Sequence, residues 1–130
     1  MVRFDDIKGK TVDIVDAILA ECGSVWNRPD AADDMRLRLG IEEIVENVVL
    51  YAYPEGNGWI EAEVSDGYVL TVRDGGVAFD PTATCEFDKN ASIDERCNGG
   101  MGIFIAKNYF DISYRRDGNV NCLRLQYKIK

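Results

Sequence analysis

Two stretches of the sequence alternate apolar and polar residues with a period of two and then turn back on themselves. In the first stretch, residues 60–65 lead into an Asp-Gly turn at 66–67, and residues 68–73 return. In the second, residues 110–116 lead into a turn rich in Asp, Gly and Asn, and residues 120–129 return. Alternation of this kind indicates strands with one buried face, and a short connection makes paired strands antiparallel. The sequence therefore predicts two β-hairpins.

Three further segments have the spacing of apolar residues that is typical of helices. The first runs from Thr11 to Val25, the second from about 30 to 52, and a short third from 101 to about 109. Acidic residues near the start of the second helix favour a helix N-terminus there. In the first helix the residues that follow this spacing are Val12, Val15, Ile18, Leu19, Cys22 and Val25. In the second, the expected buried stripe is Leu37, Ile41, Ile44, Val45, Val48 and Ala52.

The order of these elements predicts the fold class. Two helices, a hairpin, a loop, a helix and a hairpin indicate an α+β fold: a two-layer sandwich with helices on one face of a mixed, mostly antiparallel sheet. The length of 130 residues favours a single domain over 1–130. The aperiodic loop that begins near residue 75 is about 25 residues long, and a loop of that length in a small domain is often a functional lid.

The composition excludes several kinds of chemistry. The chain has no histidine, so it cannot build a Ser-His-Asp triad, a Cys-His pair, a His-ligated metal site or a phosphohistidine. With 15 basic and 23 acidic residues the net charge is −8, which argues against direct nucleic-acid binding. The four cysteines form no C-x-x-C motif, so we expect reduced thiols in a cytoplasmic protein. No apolar run approaches ~18 residues, so no membrane span is predicted.

A glutamate and an asparagine lie one turn apart in the middle of the second helix. Glu43 and Asn47 are at i and i+4, so their side chains share one face beside the apolar stripe. An amide oxygen and a neighbouring carboxylate could bind Mg²⁺ and accept a proton. The alternative is a solvated acidic helix face, which Glu42 and Glu46 also favour.

Two glycine-rich segments flank the long loop. Asp74-Gly75-Gly76 follows a predicted strand, where the carboxylate could accept a hydrogen bond from an exocyclic amine and a glycine would let a flat ring approach. Gly100-Met101-Gly102 precedes a predicted helix, whose free N–H groups and dipole favour an anion. The alternatives are an ordinary glycine turn and a flexible hinge.

Together, and in this order, the three clusters resemble the GHKL ATPase superfamily, which includes gyrase and the ATP-binding domains of histidine kinases. The segment Glu43-x-x-x-Asn47 is similar to its N box, Asp74-Gly75-Gly76 to its first glycine box, and Gly100-Met101-Gly102 to its second. The runs at 42–47, 78–81 and 100–105 more closely resemble the bacterial anti-sigma factor serine/threonine kinases. The resemblance implies one histidine-kinase-like ATP-binding domain over almost the whole chain.

This resemblance implies a role for each polar residue of the clusters. It makes Asn47 the ligand of a Mg²⁺ ion that bridges the nucleotide phosphates, and Glu43 the general base of a kinase. It makes Asp74 the acceptor for the amino group of adenine. The implied cofactors are ATP and Mg²⁺.

The same resemblance places the glycine boxes against the nucleotide. Gly76 should pass close to adenine, and Gly100, Met101 and Gly102 should surround the phosphates. Ala78 replaces the second glycine of the first box, so it should lie at the ring or at the hinge of the lid.

The remaining expectations concern positions where this chain differs from the family or where the lid could contribute charge. Asn121 takes the place of a threonine that often lies near the nucleotide, and it could still donate a hydrogen bond. Tyr51 stands where a histidine is usual, and 2–4 is a short candidate for the opening strand that is typical of the family. Lys89 and Arg96 in the lid could meet phosphate charge or could serve solubility alone.

Three functions are open at this point. The first is an anti-sigma factor serine/threonine kinase that restrains a sigma factor and phosphorylates a serine of an antagonist protein. The second is an ATP-gated protein-binding module without transfer activity, and the third is a nucleotide-binding subunit that works with a separate histidine phosphoacceptor. A homodimer is implied only by the resemblance.

Overall fold

The computed structural model describes residues 1–26, 31–82 and 100–128, and these build helices against one antiparallel sheet. Its strands occur in the order β1-β2-β3-β5-β4. They are β1 (Val2–Asp5), β2 (Trp59–Ser65), β3 (Val69–Asp74), β4 (Phe110–Asp117) and β5 (Val120–Tyr127). The predicted α+β class is confirmed, and both predicted hairpins form. In the first, Asp66, Gly67 and Tyr68 separate the strands, one residue more than the predicted turn. All four strand pairings within the described residues are antiparallel, so no parallel pair accounts for the expected mixed character there.

The helices follow the predicted periodicity closely. They are α1 (Thr11–Val25), α2 (Ala31–Asn47) and α3 (Gly100–Tyr109), and a π-helical turn, Val48–Ala52, continues α2. The chain is therefore helical up to residue 52, as predicted, but its last turn has π-helical instead of α-helical hydrogen bonds. None of the helices in the described residues is long and apolar enough to cross a membrane.

The core lies between the helices and one face of the sheet. Ile14, Val15 and Ile18 of α1 are buried with the whole predicted stripe of α2. Val12 has the helical spacing but is 67% exposed in the first turn of α1, where Ile14 and Val15 contact the core instead. The strand residues in this core are Ile60, Ala62, Leu70, Val72, Leu123, Leu125 and Tyr127.

The short opening strand is present and pairs with β2. Val2 lies opposite Ala62 and Asp5 lies opposite Trp59, so β1 forms one edge of the sheet. At the other edge, β4 and β5 form a hairpin in which Asp117 pairs with Val120. The turn therefore consists of Gly118 and Asn119 alone, one residue shorter than predicted.

Candidate functional site

A pocket opens between the C-terminal half of α2 and the adjacent ends of β3 and β5. Its cavity volume is small, about 20 Å³. Its walls are mainly apolar, with three polar side chains among them, as is usual for small-molecule sites. The lining residues are Ile44, Asn47, Val48, Ala52, Asp74, Phe79, Pro81, Ile103, Asn121 and Leu123.

Asn47, the last residue of α2, presents a buried amide to this pocket. The residue is 9% exposed, and its Nδ2 atom is buried without a hydrogen-bond partner among the described residues. Buried amide donors are almost always paired, because an unpaired one loses its hydration without compensation. An unpaired buried amide that lines a pocket is available to a ligand or to a bound water.

Asp74 ends β3 and is 5% exposed. Its Oδ1 atom accepts hydrogen bonds from the Gly76 backbone N–H (2.9 Å) and from Asn121 Nδ2 (3.0 Å), and no described residue donates to its Oδ2 atom. Burial raises the pKa of this carboxyl, and hydrogen bonds from Asn121 and Gly76 together with the charge of Arg116 partly offset that rise. The site thus holds a carboxylate with one oxygen engaged and one oxygen free to accept.

Asn121 lies directly opposite Asp74 in the β3–β5 ladder and is 4% exposed. Its Nδ2 atom donates to Asp74 Oδ1 and, at 2.7 Å, to the carbonyl of Val77. Its Oδ1 atom accepts from the Tyr114 hydroxyl (2.6 Å) and from Arg116 (3.0 Å). The whole amide group is thus occupied by protein partners, and the hydrogen bond that the sequence predicts from Asn121 to a nucleotide stays a prediction.

The first glycine segment packs directly against the π-helical turn. The backbone N–H of Val77 donates to the carbonyl of Ala52 at 2.8 Å, and a Cβ atom at Gly76 would overlap that same carbonyl group. Gly76 is therefore required by a contact within the protein, independently of any ring that approaches it. Ala78 follows this contact and is exposed.

The π-helical turn is fixed from its other side as well. Lys8 donates from Nζ to the carbonyl of Val49 at 3.0 Å. A π-helical turn interrupts the regular i to i−4 ladder, and such turns are frequent at functional sites. Lys8 and Val77 thus hold the end of the helix that carries Asn47.

Tyr53 joins the start of β2 to the glycine segment, and nothing in the sequence indicated this role. Its hydroxyl donates to the carbonyl of Trp59 at 2.6 Å and accepts from the N–H groups of Trp59 (3.1 Å) and Gly75 (2.8 Å). One hydroxyl therefore satisfies two backbone donors and one acceptor. Its position after the helix gave no periodic signal.

Tyr114 and Arg116 of β4 are the other site residues that sequence reasoning missed. Arg116 lies opposite Asn121 in the β4–β5 ladder, and its Nη1 atom also donates to the Gly76 carbonyl at 2.9 Å. A two-residue Gly-Asn turn is a recognised hairpin signal, and the register that it sets places Arg116 beside Asn121. The three-residue turn assumed from the sequence hid this alignment.

Glu43 lies one turn before Asn47 in α2 and is half-buried. Burial raises the pKa of its carboxyl, and the negative charges of Glu42 and Glu46 add to the rise. It is not one of the residues that line the pocket. The structure leaves its predicted role as a base untested.

The second glycine segment is described only in part. Gly100, Met101 and Gly102 form the first turn of α3, and their backbone alone is described. Ile103, the next residue, lines the pocket, so the N-terminus of α3 is close to it. Lys89 and Arg96, which were considered for phosphate contacts, lie outside the described residues.

The sequence of the chain matches the model of a known protein family. Residues 10–127 match the family model described as a histidine kinase-like ATPase domain. The chain belongs to this family. The superfamily resemblance seen in the three clusters is thereby confirmed, and an ATP-binding regulatory function is supported for this ATPase domain. A search of curated proteins found no match.

Proposed function

We propose that this ATPase domain is an anti-sigma factor serine/threonine kinase that transfers the γ-phosphate of ATP to a serine of a partner antagonist protein. One observation carries the nucleotide-binding part of the proposal. Asp74, with a free carboxylate oxygen, and Asn47, with an unpaired buried amide, line the same largely apolar pocket. The two groups are suited to opposite ends of one small ligand.

The free oxygen of Asp74 is suited to the exocyclic amine of adenine. A buried carboxylate oxygen accepts a hydrogen bond strongly, and losing such a bond is costly because the charge stays buried. Phe79, Ile103 and Leu123 line the same pocket, so the ring would contact apolar side chains. Base preference then follows from one hydrogen bond and from the apolar walls.

Asn47 is suited to a Mg²⁺ ion that accompanies the phosphates. Mg²⁺ prefers oxygen ligands, keeps several waters and often takes only one or two ligands from the protein. The Oδ1 atom of Asn47 is a ligand of this kind, and Asn47 lines the pocket. A bound Mg²⁺ would neutralise negative charge on the phosphate oxygens.

Glu43 is the proposed base for the transfer. The serine hydroxyl gives its proton to the Glu43 carboxylate while its oxygen bonds to the γ-phosphorus, and the bond from that phosphorus to the β-phosphate oxygen breaks, releasing ADP. The raised pKa of Glu43 brings it closer to neutral pH, where a base accepts a proton more readily. Because phosphoryl transfer depends mostly on positioning and electrostatics, one carboxylate suffices.

The sequence supports the serine/threonine branch over the histidine kinases. The chain contains no histidine that could be phosphorylated. The runs at 42–47 and 100–105 resemble anti-sigma factor kinases, and they imply a sigma factor and an antagonist as partners. A homodimer and a cytoplasmic location belong to the same proposal.

Labelled ATP tests the transfer directly. The protein is incubated with Mg-ATP labelled at the γ-phosphate and with the antagonist protein encoded beside it. We expect label on a serine of the antagonist, with loss of label in Glu43→Ala and retention in Glu42→Ala, because Glu42 is an exposed neighbour on the same helix. Tight ATP binding without transfer would instead favour the ATP-gated binding module. Label on a histidine of another protein would favour the two-subunit histidine kinase.

A further inference from the structure

The two carboxylate oxygens of Asp74 differ in the number of hydrogen bonds that they accept, and this difference affects which base can bind. Oδ1 accepts from the Gly76 N–H and from Asn121 Nδ2, which uses both of its lone pairs. No described residue donates to Oδ2. The carboxylate therefore offers a ligand one oxygen rather than two.

The orientation of the Asn121 amide is fixed by its neighbours. Arg116 and the Phe79 N–H can only donate, and both point at Oδ1, at 3.0 and 3.4 Å. The Val77 carbonyl can only accept, and it faces Nδ2 at 2.7 Å. If the amide were turned over, its NH2 group would face the two donors and its oxygen would face the Val77 carbonyl. The amide is therefore fixed with Nδ2 toward Asp74.

Purine bases differ in the donors that they can give to a carboxylate. Guanine carries two adjacent donors, N1–H and the 2-amino group, which match the two oxygens of a carboxylate. Adenine offers one donor group, the 6-amino group, beside an acceptor. A carboxylate with a single open oxygen satisfies adenine, whereas guanine keeps one buried donor without a partner, and an unpaired buried donor weakens binding.

We propose that Asn121 is a specificity-determining residue which, by occupying Asp74 Oδ1, restricts the pocket to purines with a single amine donor and disfavours guanine nucleotides. This inference rests on the proposed nucleotide site and concerns which base that site accepts. Asn121 acts through Asp74, so it is a positioning residue rather than a contact to the base. Its test must therefore measure a ratio of affinities that a general loss of stability does not change.

Three nucleotides measure the base preference of the natural protein. Calorimetric titration with Mg-ATP, Mg-GTP and Mg-ITP compares bases that differ in one group at a time, because inosine has the N1–H of guanine but lacks its 2-amino group. With Oδ1 occupied, the 2-amino group contributes nothing, so GTP and ITP bind about equally and both bind more weakly than ATP. Binding of GTP about tenfold or more tighter than ITP would overturn the proposal.

Substitution of Asn121 tests whether its hydrogen bond to Asp74 is the cause of this preference. Asn121→Ala frees one lone pair of Asp74 Oδ1, so GTP should gain about tenfold over ITP, relative to the natural protein. Asn119→Ala in the exposed hairpin turn is the matched control and should leave the ratio unchanged. An unchanged ratio in Asn121→Ala would overturn the proposal, and if this variant does not fold, the titrations of the natural protein decide alone. Failure of every nucleotide to bind would overturn the proposed function along with it.

Discussion

Replacing Gly76 with alanine separates a structural role of this residue from a role in nucleotide binding. The added Cβ atom would overlap the Ala52 carbonyl, which also accepts the hydrogen bond from Val77 N at 2.8 Å. The nearest atoms, the carbonyl oxygen and carbon of Ala52, belong to the backbone, so rotating a side chain cannot relieve the overlap. The glycine segment would have to move away from the π-helical turn.

The expected cost follows from these two contacts. Overpacking in a well-packed site costs about 1–3 kcal/mol, and loss of the Val77 hydrogen bond adds about 1 kcal/mol. For a domain of this size, a total of about 2–4 kcal/mol lowers the melting temperature by roughly 10 °C. Gly56→Ala is the matched control, because a Cβ there meets no atom within 4 Å.

Thermal unfolding without nucleotide is the assay for this prediction. We expect Gly76→Ala to melt well below the natural protein and Gly56→Ala to melt within about 2 °C of it. If Gly76→Ala melted like the natural protein and lost only ATP affinity, the contact with Ala52 would not be the reason for this glycine, and close approach of the nucleotide would explain it instead.

Three further substitutions test the roles of single side chains. Asp74→Asn should lower the affinity for ATP about 100-fold in calorimetry, yet this variant should melt no lower than the natural protein at pH 7. The reason is that the pKa of Asp74 is raised above the ordinary aspartate value of 3.8, so the charged carboxylate lowers stability as pH rises above that value; a lower melting temperature would contradict this. Tyr53→Phe removes three hydrogen bonds and should lower the free energy of unfolding, measured in urea, by about 2 kcal/mol. The control Tyr51→Phe should change it by less than about 0.5 kcal/mol, and equal effects of the two substitutions would refute the role of the Tyr53 hydroxyl. Phosphate transfer should rise with pH through the raised pKa of Glu43, above the ordinary value of 4.5, and Glu46→Gln should move that midpoint to lower pH; an unmoved midpoint would mean that another group titrates.

Local patterns in the sequence predicted most of the fold. Helix α1 has the bounds that its apolar spacing indicated, and the stripe of α2 from Leu37 to Ala52 is buried as expected. Both hairpins form because period-two alternation and short polar turns act locally. Val12 has the helical spacing yet is exposed, because periodicity gives the direction of a helix face but not the point at which neighbouring elements cover it.

Long-range geometry could not be read from the same patterns. The sequence placed Asp74 and Asn47 in candidate sites, but the Tyr53 hydroxyl bonds depend on how three separate segments converge. The π-helical turn at Val48–Ala52 is invisible to apolar spacing, because it changes the hydrogen bonds while the same residues stay buried. The contact between Arg116 and Asn121 required the hairpin register, which one extra residue in the assumed turn displaced.

We propose that ATP binds in the pocket between α2 and the ends of β3 and β5. Nuclear magnetic resonance of the ¹⁵N-labelled protein during titration with ATP, followed by Mg²⁺, tests it most directly. We expect shifts at the backbone amides of Gly76 and Phe79 on addition of ATP, and a further shift of the Asn47 side-chain amide when Mg²⁺ is added. Shifts confined to the separate groove lined by Leu19 and Met35, with Asn47 and Gly76 unmoved at saturation, would contradict it.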